Sequence, residues 1–189
     1  MIEYEIKIML SKEEYEFLLK EFGAGSNSIK QSNYYYDTDD MSMNKKNITC
    51  RVRKTGSSLK ATMKEHVKGS MGKSEESSFM VYRVADIMDF YGHHLKNQGM
   101  LFTERTKLSV AGDVAATVDK NTYLGIEDYE LEIEYDDINV FTAIDILEKI
   151  AEKLCYENFV STPQQFLLRL AVSKNKSERF FARKSGELN

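Results

Sequence analysis

The sequence contains very little proline, tryptophan or cysteine. One proline and no tryptophan occur among its 189 residues, which argues against a proline-rich linker and against long disordered segments. Its two cysteines, Cys50 and Cys155, are far apart, and neither belongs to a Cys-x-x-Cys pair. We therefore expect neither a disulfide framework nor a cysteine-based zinc site, but two thiols in a reducing compartment.

Long apolar runs and a strong charge imbalance are also missing. No apolar stretch approaches the ~18 residues that a transmembrane helix needs. Residues 1–10 carry Glu3, Glu5 and Lys7, which is unlike a signal peptide. We therefore expect a cytoplasmic protein with no membrane partner. Lys and Arg total 26 against 30 for Asp and Glu, a net charge of −4, so we expect no nucleic-acid partner. The length fits one domain over residues 1–189.

Alternating polar and apolar residues predict a chain rich in β-strands. The predicted strands cover residues 1–10, 30–38, 48–54, 59–65, 73–81, 100–110, 115–120 and 128–135. Predicted turns and loops lie at residues 56–58, 69–72 and 112–113, each of which contains glycine.

Capping signals and apolar residues at helical spacing predict four helices. They cover residues 11–22, 86–98, 139–155 and 162–172. The first begins with a Ser11–Glu14 capping box and ends at Gly23. His93 and His94 are then placed on a surface helix. Residues 41–47 are predicted to form a turn and connection, and residues 173–189 a basic tail that ends frayed.

Charged residues on the predicted strands are sorted by sign. The acidic series are Glu3-x-Glu5, followed by Lys7, and Glu130-x-Glu132-x-Glu134. The basic series are Arg51-x-Arg53, Lys60 with Lys64, and Arg105-x-Lys107. Like charges on one strand face repel each other. One such series is typical of the wet side of a sheet, but five in a short chain indicate a shared charged interior.

Opposed carboxylates and cations are the groups that bind a metal-bound polyphosphate. Carboxylates are hard oxygen ligands for divalent metals, and Arg and Lys bind phosphate oxygens. The pattern therefore favours metal-assisted phosphoryl transfer. The sequence has no GxxxxGK[ST] and no GxGxxG segment, which excludes the P-loop and kinase solutions.

Several segments, in order, resemble those of the CYTH superfamily, the triphosphate tunnel metalloenzymes. Glu3-x-Glu5-x-Lys7 is similar to the family's ExExK signature, and the later matches extend over almost the whole chain. These matches are Tyr34–Thr38 (YYDT), Arg51–Arg53 (LRIR, with Cys50 where leucine is common), Ala61–Lys64 (LTLK), Asp119 with Glu130–Glu132 (D…ELE) and Lys174-x-Lys176-x-x-Arg179. The chain looks most similar to the small, Bacillus-type bacterial members.

This resemblance implies an α+β fold: a closed eight-stranded antiparallel β-barrel that forms a tunnel, with helices packed outside. Family members hydrolyse tripolyphosphate, thiamine triphosphate or an RNA 5′-triphosphate, and a few cyclise ATP. The implied function is Mg²⁺- or Mn²⁺-dependent hydrolysis of a small triphosphate. An adenylate cyclase and a non-catalytic polyphosphate- or nucleotide-binding module are the alternatives. A homodimer is left open.

The resemblance also implies a role for individual residues. The implied metal ligands are Glu3, Glu5, Glu76, Asp119, Glu130 and Glu132. The implied triphosphate-binding residues are Lys7, Arg51, Arg53, Lys60, Lys64, Arg105, Lys107, Lys174 and Lys176. The implied catalytic residues are Glu5, Lys7 and Glu132.

Some of these assignments leave alternatives. Either Glu75 or Glu76 faces the tunnel, and the spacing from Lys64 favours Glu76. Asp119 is either a metal ligand or a group that orients Lys120 or another nearby lysine, and either Lys174 or Lys176 closes the tunnel. His66 is interpreted as a solvated loop residue near the mouth. Tyr34, Tyr35 and Tyr36 are interpreted as packing residues of the barrel wall.

Overall fold

The computed structural model describes residues 2–23, 27–67, 72–110 and 114–187. The strands within these residues are β1 Ile2–Leu10, β2 Ile29–Asp37, β3 Ile48–Thr55, β4 Ser58–His66, β5 Lys73–Met80, β6 Ile87–Phe90, β7 His93–Lys107, β8 Ala115–Tyr123 and β9 Ile126–Tyr135. The helices are α1 Lys12–Phe22, α2 Ser42–Lys45, α3 Val140–Tyr156, α4 Pro163–Leu167, a short 3₁₀ helix Leu168–Val172, and α5 Lys176–Ser185.

Eight of the strands close into an antiparallel barrel. They follow one another in the order β2-β3-β4-β5-β1-β9-β8-β7, and β7 pairs with β2 to complete the ring. The ninth strand, β6, lies outside the barrel and pairs with the first residues of β7. The predicted α+β class and the eight-stranded barrel are confirmed.

The barrel is charged inside and apolar outside. On β1, Ile6, Ile8 and Leu10 belong to the largest apolar cluster, which also contains residues of α1, α3 and α4. Because side chains alternate along a strand, Glu5 and Lys7 project to the opposite face, into the barrel. The helices therefore cover one side of the barrel wall and leave its interior to charged groups.

The predicted helices at 11–22 and 139–155 are confirmed. The Ser11 hydroxyl accepts a hydrogen bond from the Glu14 backbone N–H, and the Glu14 carboxylate accepts one from Ser11 N–H. This capping box satisfies two donors that would otherwise be free. The predicted helix at 162–172 divides into α4 and the 3₁₀ helix. Among the described residues, no helix is both long and apolar enough to cross a lipid bilayer.

The helix predicted over residues 86–98 is wrong, because these residues form β6 and the start of β7. Tyr91 and Gly92, between the two strands, have positive φ angles of 52° and 87°, which a right-handed helix cannot contain. Phe90 and Leu95 are buried in an apolar cluster on the outer face of the barrel. The exposed His93 and His94 therefore lie on a strand.

Two further predictions need correction, and others lie outside the described residues. Residues 42–45 of the predicted turn form α2, whose Met43 and Asn44 N–H groups donate to the Asp37 carboxylate. The tail does not fray over residues 176–185, which form α5. Most of the loop predicted at residues 69–72, the turn at 112–113 and the end of the tail lie outside the described residues.

Helix α5 closes one end of the barrel. The apolar cluster at this end consists of Tyr35, Leu101, Tyr123, Phe180 and Phe181. Gly99 permits this close packing: its φ is +136°, and a Cβ atom there would lie 2.8 Å from Cζ of Phe180. The helix thus brings the polar residues of its N-terminal turn to the charged interior.

Candidate functional site in the barrel interior

The barrel encloses a cavity of about 230 Å³. Its walls come from seven strands and from the start of α5. The predicted site residues that line it are Glu3, Glu5, Lys7, Arg51, Arg53, Lys60, Lys64, Glu76, Arg105, Glu132 and Lys176. The structure therefore brings together acidic and basic residues from both ends of the sequence.

Strands β1 and β9 form an acidic wall. Glu5 lies opposite Glu134, and Lys7 lies opposite Glu132. The Lys7 Nζ is 3.2 Å from carboxylate oxygens of both Glu5 and Glu132. Burial alone would lower the pKa of Lys7, but these two carboxylates raise it overall, so Lys7 is a cation held between two anions.

Glu134 lines the cavity and was not among the predicted site residues. Partial burial of its carboxyl group raises the pKa, and the negative charge of Glu132 raises it further. The signal that could have identified Glu134 is in the sequence, because it continues the alternation of Glu130 and Glu132 by one step.

Strands β3 and β4 form a basic wall. Arg53 lies opposite Lys60, and Arg51 opposite Thr62. The buried Lys64 places Nζ 3.2 Å from a Glu3 oxygen and 3.4 Å from a Glu5 oxygen. The basic wall therefore meets the acidic wall through Lys64.

Arg53 differs from the other cations that line the cavity, because no carboxylate of the described residues lies within 4 Å of it. Its Nε donates to Asn33 at 2.8 Å. Burial lowers the pKa of Arg53 to about 9, and the nearby Arg51 and Arg105 lower it too. Glu132 opposes this shift but forms no ion pair with Arg53. The guanidinium is therefore only partly compensated, and an anion from outside the chain would stabilise it.

The structure settles which of two neighbouring glutamates points inward. Glu76 lines the cavity, with one oxygen 3.3 Å from Lys60 Nζ and the other 4.0 Å from an Arg51 nitrogen. Glu75 is exposed. Strand alternation thus places Glu76, the residue that the spacing from Lys64 favoured, inside the barrel.

Asp119, Glu130 and Glu132 form a buried acidic cluster. One carboxylate oxygen from each lies within 4.8 Å of the other two, a separation that could hold a metal ion. In this structure Lys176 Nζ contacts all three, at 2.8 Å for Asp119 and Glu132, and also touches Glu130. Complete burial lowers the pKa of Lys176 well below its ordinary value, and Asp119 opposes that shift.

Two arginines complete the pairing of this cluster. Arg105 donates from Nε and Nη2 to the Asp119 carboxylate, at 2.9 and 2.7 Å, and also contacts Glu132. Arg179 donates to Glu130 at 2.9 Å. Burial alone would raise the pKa of Asp119, but Lys176 and Arg105 lower it to about 2. Asp119 and Glu130 are thus fully buried and paired.

The C-terminal segment contributes more than the sequence pattern indicated. Asn175 and Ser177 line the cavity beside Lys176, and Asn175 accepts a hydrogen bond from Lys7 Nζ at 3.3 Å. The start of α5 has a capping box of Asn175 and Glu178. This Asn-x-x-Glu spacing was the available signal for a helix in the predicted tail.

Two predicted phosphate-binding residues lie elsewhere. Lys107, at the end of β7, and Lys174, before α5, are both exposed and do not line the cavity. Lys174 borders a separate surface depression with Met41 and Asn44. Of the two tail lysines, Lys176 is the one that enters the barrel.

His66 borders the cavity at the end of β4. Its Nε2 lies 3.4 Å from the Thr49 hydroxyl, which lies 2.7 Å from the Ser177 hydroxyl. Burial lowers the pKa of His66 to about 4, and Lys64 contributes to this shift. His66 is therefore a half-buried neutral imidazole rather than a solvated loop residue.

Comparison with known proteins agrees with the barrel fold. Residues 1–163 match the family model described as the CYTH domain. The chain is 23% identical over 204 residues to YjbK of Bacillus subtilis (strain 168), a candidate triphosphatase, with 97% of this chain and 96% of that protein covered.

Solved structures are similar as well. A candidate adenylate cyclase from Bacillus halodurans is 25% identical and superposes with a TM-score of 0.63, over 95% of this chain and 97% of that one. The candidate adenylyl cyclase HpAC1 from Hippeastrum, described as having a dominant triphosphatase activity, shares the fold at 18% identity and a TM-score of 0.59, over 82% and 87% of the two chains. Since the family model matches well over half of its length, the chain belongs to the CYTH domain family.

Proposed function

We propose that this protein hydrolyses a small triphosphate, such as inorganic tripolyphosphate, inside its barrel. The observation that carries the proposal is the buried cavity whose Arg53 guanidinium has no carboxylate within 4 Å among the described residues. A polyanion would supply the missing counter-charge. Family membership and the similarity to YjbK, a candidate triphosphatase, support the same class of reaction.

The cations of the cavity provide positions for the phosphate oxygens. Arg51, Arg53 and Lys64 form one side of the proposed phosphate site, with Lys60 at its more exposed edge. Lys7, on the acidic wall, and Arg105, on β7, supply further cations. Arginine can bind two phosphate oxygens at once, which fixes the orientation of the chain of phosphates. Lys107 and Lys174 are left out because they lie outside the cavity.

Mg²⁺ or Mn²⁺ fits the carboxylates that line the cavity, because both ions prefer oxygen ligands. We assign this role to Glu3, Glu5, Glu76, Glu132 and Glu134. Glu3 and Glu134 keep 37% and 56% of their side-chain surface exposed, so their oxygens remain accessible to an ion. Such an ion would neutralise phosphate charge and make a bound water more acidic.

We assign a positioning role, rather than metal binding, to Asp119 and Glu130. Unlike Glu132, neither lines the cavity; both are fully buried, and their oxygens are already paired with Lys176, Arg105 and Arg179. They hold α5 and Arg105 in place at the cavity wall. Of the two alternatives for Asp119, this is the one in which it orients a neighbouring cation.

The proposed reaction is an in-line hydrolysis. Water attacks a terminal phosphorus atom, the bond to the bridging oxygen breaks, and tripolyphosphate yields phosphate and pyrophosphate. Lys7 stabilises charge on the transferred group rather than accepting a proton, because Glu5 and Glu132 keep it protonated. Lys7 and Lys64 lower the pKa of Glu5 despite its burial, so Glu5 remains ionised.

The test is a phosphate-release assay on purified protein with tripolyphosphate, ATP and thiamine triphosphate, each with Mg²⁺, with Mn²⁺ and with a chelator. We expect release from at least one substrate only when metal is present. Glu5→Gln, purified in the same way, controls for contaminating phosphatases and should be strongly impaired. No release from any substrate by the wild-type protein would contradict the proposal.

The same samples separate two other functions. Cyclic AMP formed from ATP would favour a cyclase, an activity consistent with the name of the similar Bacillus halodurans protein. Tight tripolyphosphate binding that needs no metal and leads to no turnover would favour a binding module. Carboxylates on three strands around the cavity favour hydrolysis over that module.

A further inference from the structure

Tyr35 has a hydroxyl group that no group in the described structure satisfies. Its side chain is fully buried. The ring packs 5.0 Å from the ring of Phe180 and 6.0 Å from that of Phe181, measured between centroids. The hydroxyl oxygen is buried without a hydrogen-bond partner, and Tyr35 lines the charged cavity.

This situation is unusual and requires an explanation. Buried hydroxyl groups are nearly always hydrogen-bonded, because a hydroxyl that loses its hydrogen bonds to water on burial needs a partner inside the protein. Two other buried tyrosines follow that rule. Tyr36 donates to the Ala85 carbonyl at 2.6 Å, and Tyr123 donates to the Asp128 carboxylate at 2.6 Å. Phenylalanine would fill the position of the Tyr35 ring without this cost.

The surroundings of the hydroxyl indicate which partner it lacks. Tyr35 lies directly opposite Arg51 in the β2–β3 pairing, and the Nε of Arg51 is also buried without a hydrogen-bond partner. Burial raises the pKa of Tyr35, although Arg51 and Arg53 act in the opposite sense. The phenol therefore stays protonated and can donate.

The Tyr35 hydroxyl and the Arg51 Nε–H are two donors without an acceptor. The guanidinium of Arg53, on the same strand as Arg51, has no carboxylate within 4 Å among the described residues. Together these groups favour an acceptor that carries negative charge. An oxygen of a phosphate group is such an acceptor, and hydrogen bonds to charged oxygens are stronger than those between neutral groups. A metal ion would not satisfy these groups, because the Arg51 N–H and the protonated phenol are both donors.

We propose that the Tyr35 hydroxyl donates a hydrogen bond to a phosphate oxygen of the bound triphosphate, next to Arg51. Tyr35 is then a substrate-binding residue as well as a packing residue of the barrel wall. This inference rests on the proposed function, since it requires that a triphosphate occupies the cavity.

Tyr35→Phe tests the inference, with Tyr36→Phe as the matched control. For each protein we would measure the thermal midpoint without ligand, the dissociation constant for tripolyphosphate and the steady-state constants. For Tyr35→Phe we expect an unchanged or higher midpoint, since an unsatisfied hydroxyl is removed, together with binding weakened by about 10-fold or more. For Tyr36→Phe we expect a lower midpoint and unchanged binding.

The outcomes distinguish this inference from the proposed function. Wild-type protein that binds no tripolyphosphate would overturn both. Wild-type protein that binds it as tightly as Tyr35→Phe would overturn the role of the hydroxyl alone. A Tyr35→Phe protein that is destabilised or fails to fold would show a structural partner for the hydroxyl, and would also overturn it.

Discussion

The Nζ atom of Lys176 lies 2.8 Å from a carboxylate oxygen of Asp119, which connects α5 to β8 inside the barrel. The same nitrogen contacts Glu130 and Glu132. The three carboxylates whose oxygens are arranged closely enough for a metal ion are therefore held by a lysine of the C-terminal helix. The position of α5 and the charge of the barrel interior are consequently linked.

Lys176→Met should destabilise the protein strongly. Removing one partner from a buried, paired set leaves the remaining charges uncompensated, which typically costs about 3–5 kcal/mol. Denaturant unfolding would measure this loss. Lys174→Met is the control, because Lys174 is exposed, and its stability should stay within about 0.5 kcal/mol of wild type. Equal stability of the two variants would mean that the contacts of Lys176 contribute little.

Arg53→Ala should weaken substrate binding much more than it changes the stability of the fold. Arg53 has no carboxylate partner among the described residues, and it lies near the like charges of Arg51 and Arg105, so its removal relieves repulsion. The variant also loses the hydrogen bond from Arg53 Nε to the buried Asn33, which offsets that gain. We therefore expect a thermal midpoint close to that of wild type and an affinity for tripolyphosphate lowered about 10-fold or more. Lys54→Ala, at the exposed neighbouring position, should match wild type. A stable Arg53→Ala protein with normal affinity would exclude Arg53 from the phosphate site.

Glu76→Gln should lower metal-dependent turnover, and Glu75→Gln should not. The two residues are adjacent, but only Glu76 lines the cavity. The amide retains the shape of the side chain and removes the charge that attracts a divalent ion. Turnover measured across a range of Mg²⁺ and Mn²⁺ concentrations should require more metal, or stay lower at saturation, for Glu76→Gln. Normal metal dependence in this variant would remove Glu76 from the proposed ligands.

His66 should make the protein less stable as the pH falls from about 6.5 to about 4. Its pKa decreases from 6.5 to about 4 on folding, mainly because of burial. Between these pH values the unfolded chain binds the proton and the folded chain does not. The free energy of unfolding therefore decreases as the pH falls through this window, and the His66 contribution to stability is complete above about pH 6.5. The contribution is up to about 3 kcal/mol.

Unfolding experiments at several pH values, on wild type and on His66→Gln, measure that contribution. The variant should lack the decrease in stability between about pH 6.5 and 4, whereas His93→Gln, at an exposed position, should retain it. The carboxylate of Asp119, with a pKa of about 2, affects stability only at lower pH. A wild-type slope in His66→Gln would show that His66 is not the group responsible.

Much of the fold could be predicted from the sequence because its signals are local. Alternation along β1, β3, β4 and β9 identified the strands and their charged faces. The Ser11–Glu14 capping box identified the start of α1. Residues 86–98, which form β6 and the start of β7, were predicted as a helix because Asp86 and Gly99 are typical start and stop signals of a helix. The turn at Tyr91 and Gly92, which makes two strands of this segment, depends on backbone angles and on packing against the barrel.

The residues of the candidate site could be predicted where their inward placement follows from the alternation of side chains along a strand. The inward placement of Glu5, Arg53 and Glu132 follows from their strands. Lys107 continues the alternation from Arg105, but it lies at the exposed end of β7, and a sequence pattern does not show where a barrel ends. Lys174 and Lys176 could be separated only once the start of α5 was known.

The sequence by itself therefore determined that this chain forms strands with sign-sorted faces, since side-chain alternation is a property of each strand alone. Only the tertiary structure decided that α5 closes the barrel and that Lys176 pairs with Asp119. It also decided that, among the described residues, the Tyr35 hydroxyl has no hydrogen-bond partner and Arg53 has no carboxylate within 4 Å. These relationships join residues far apart in the chain. They arise from barrel closure and from the packing of Phe180 against Gly99, which no local pattern encodes.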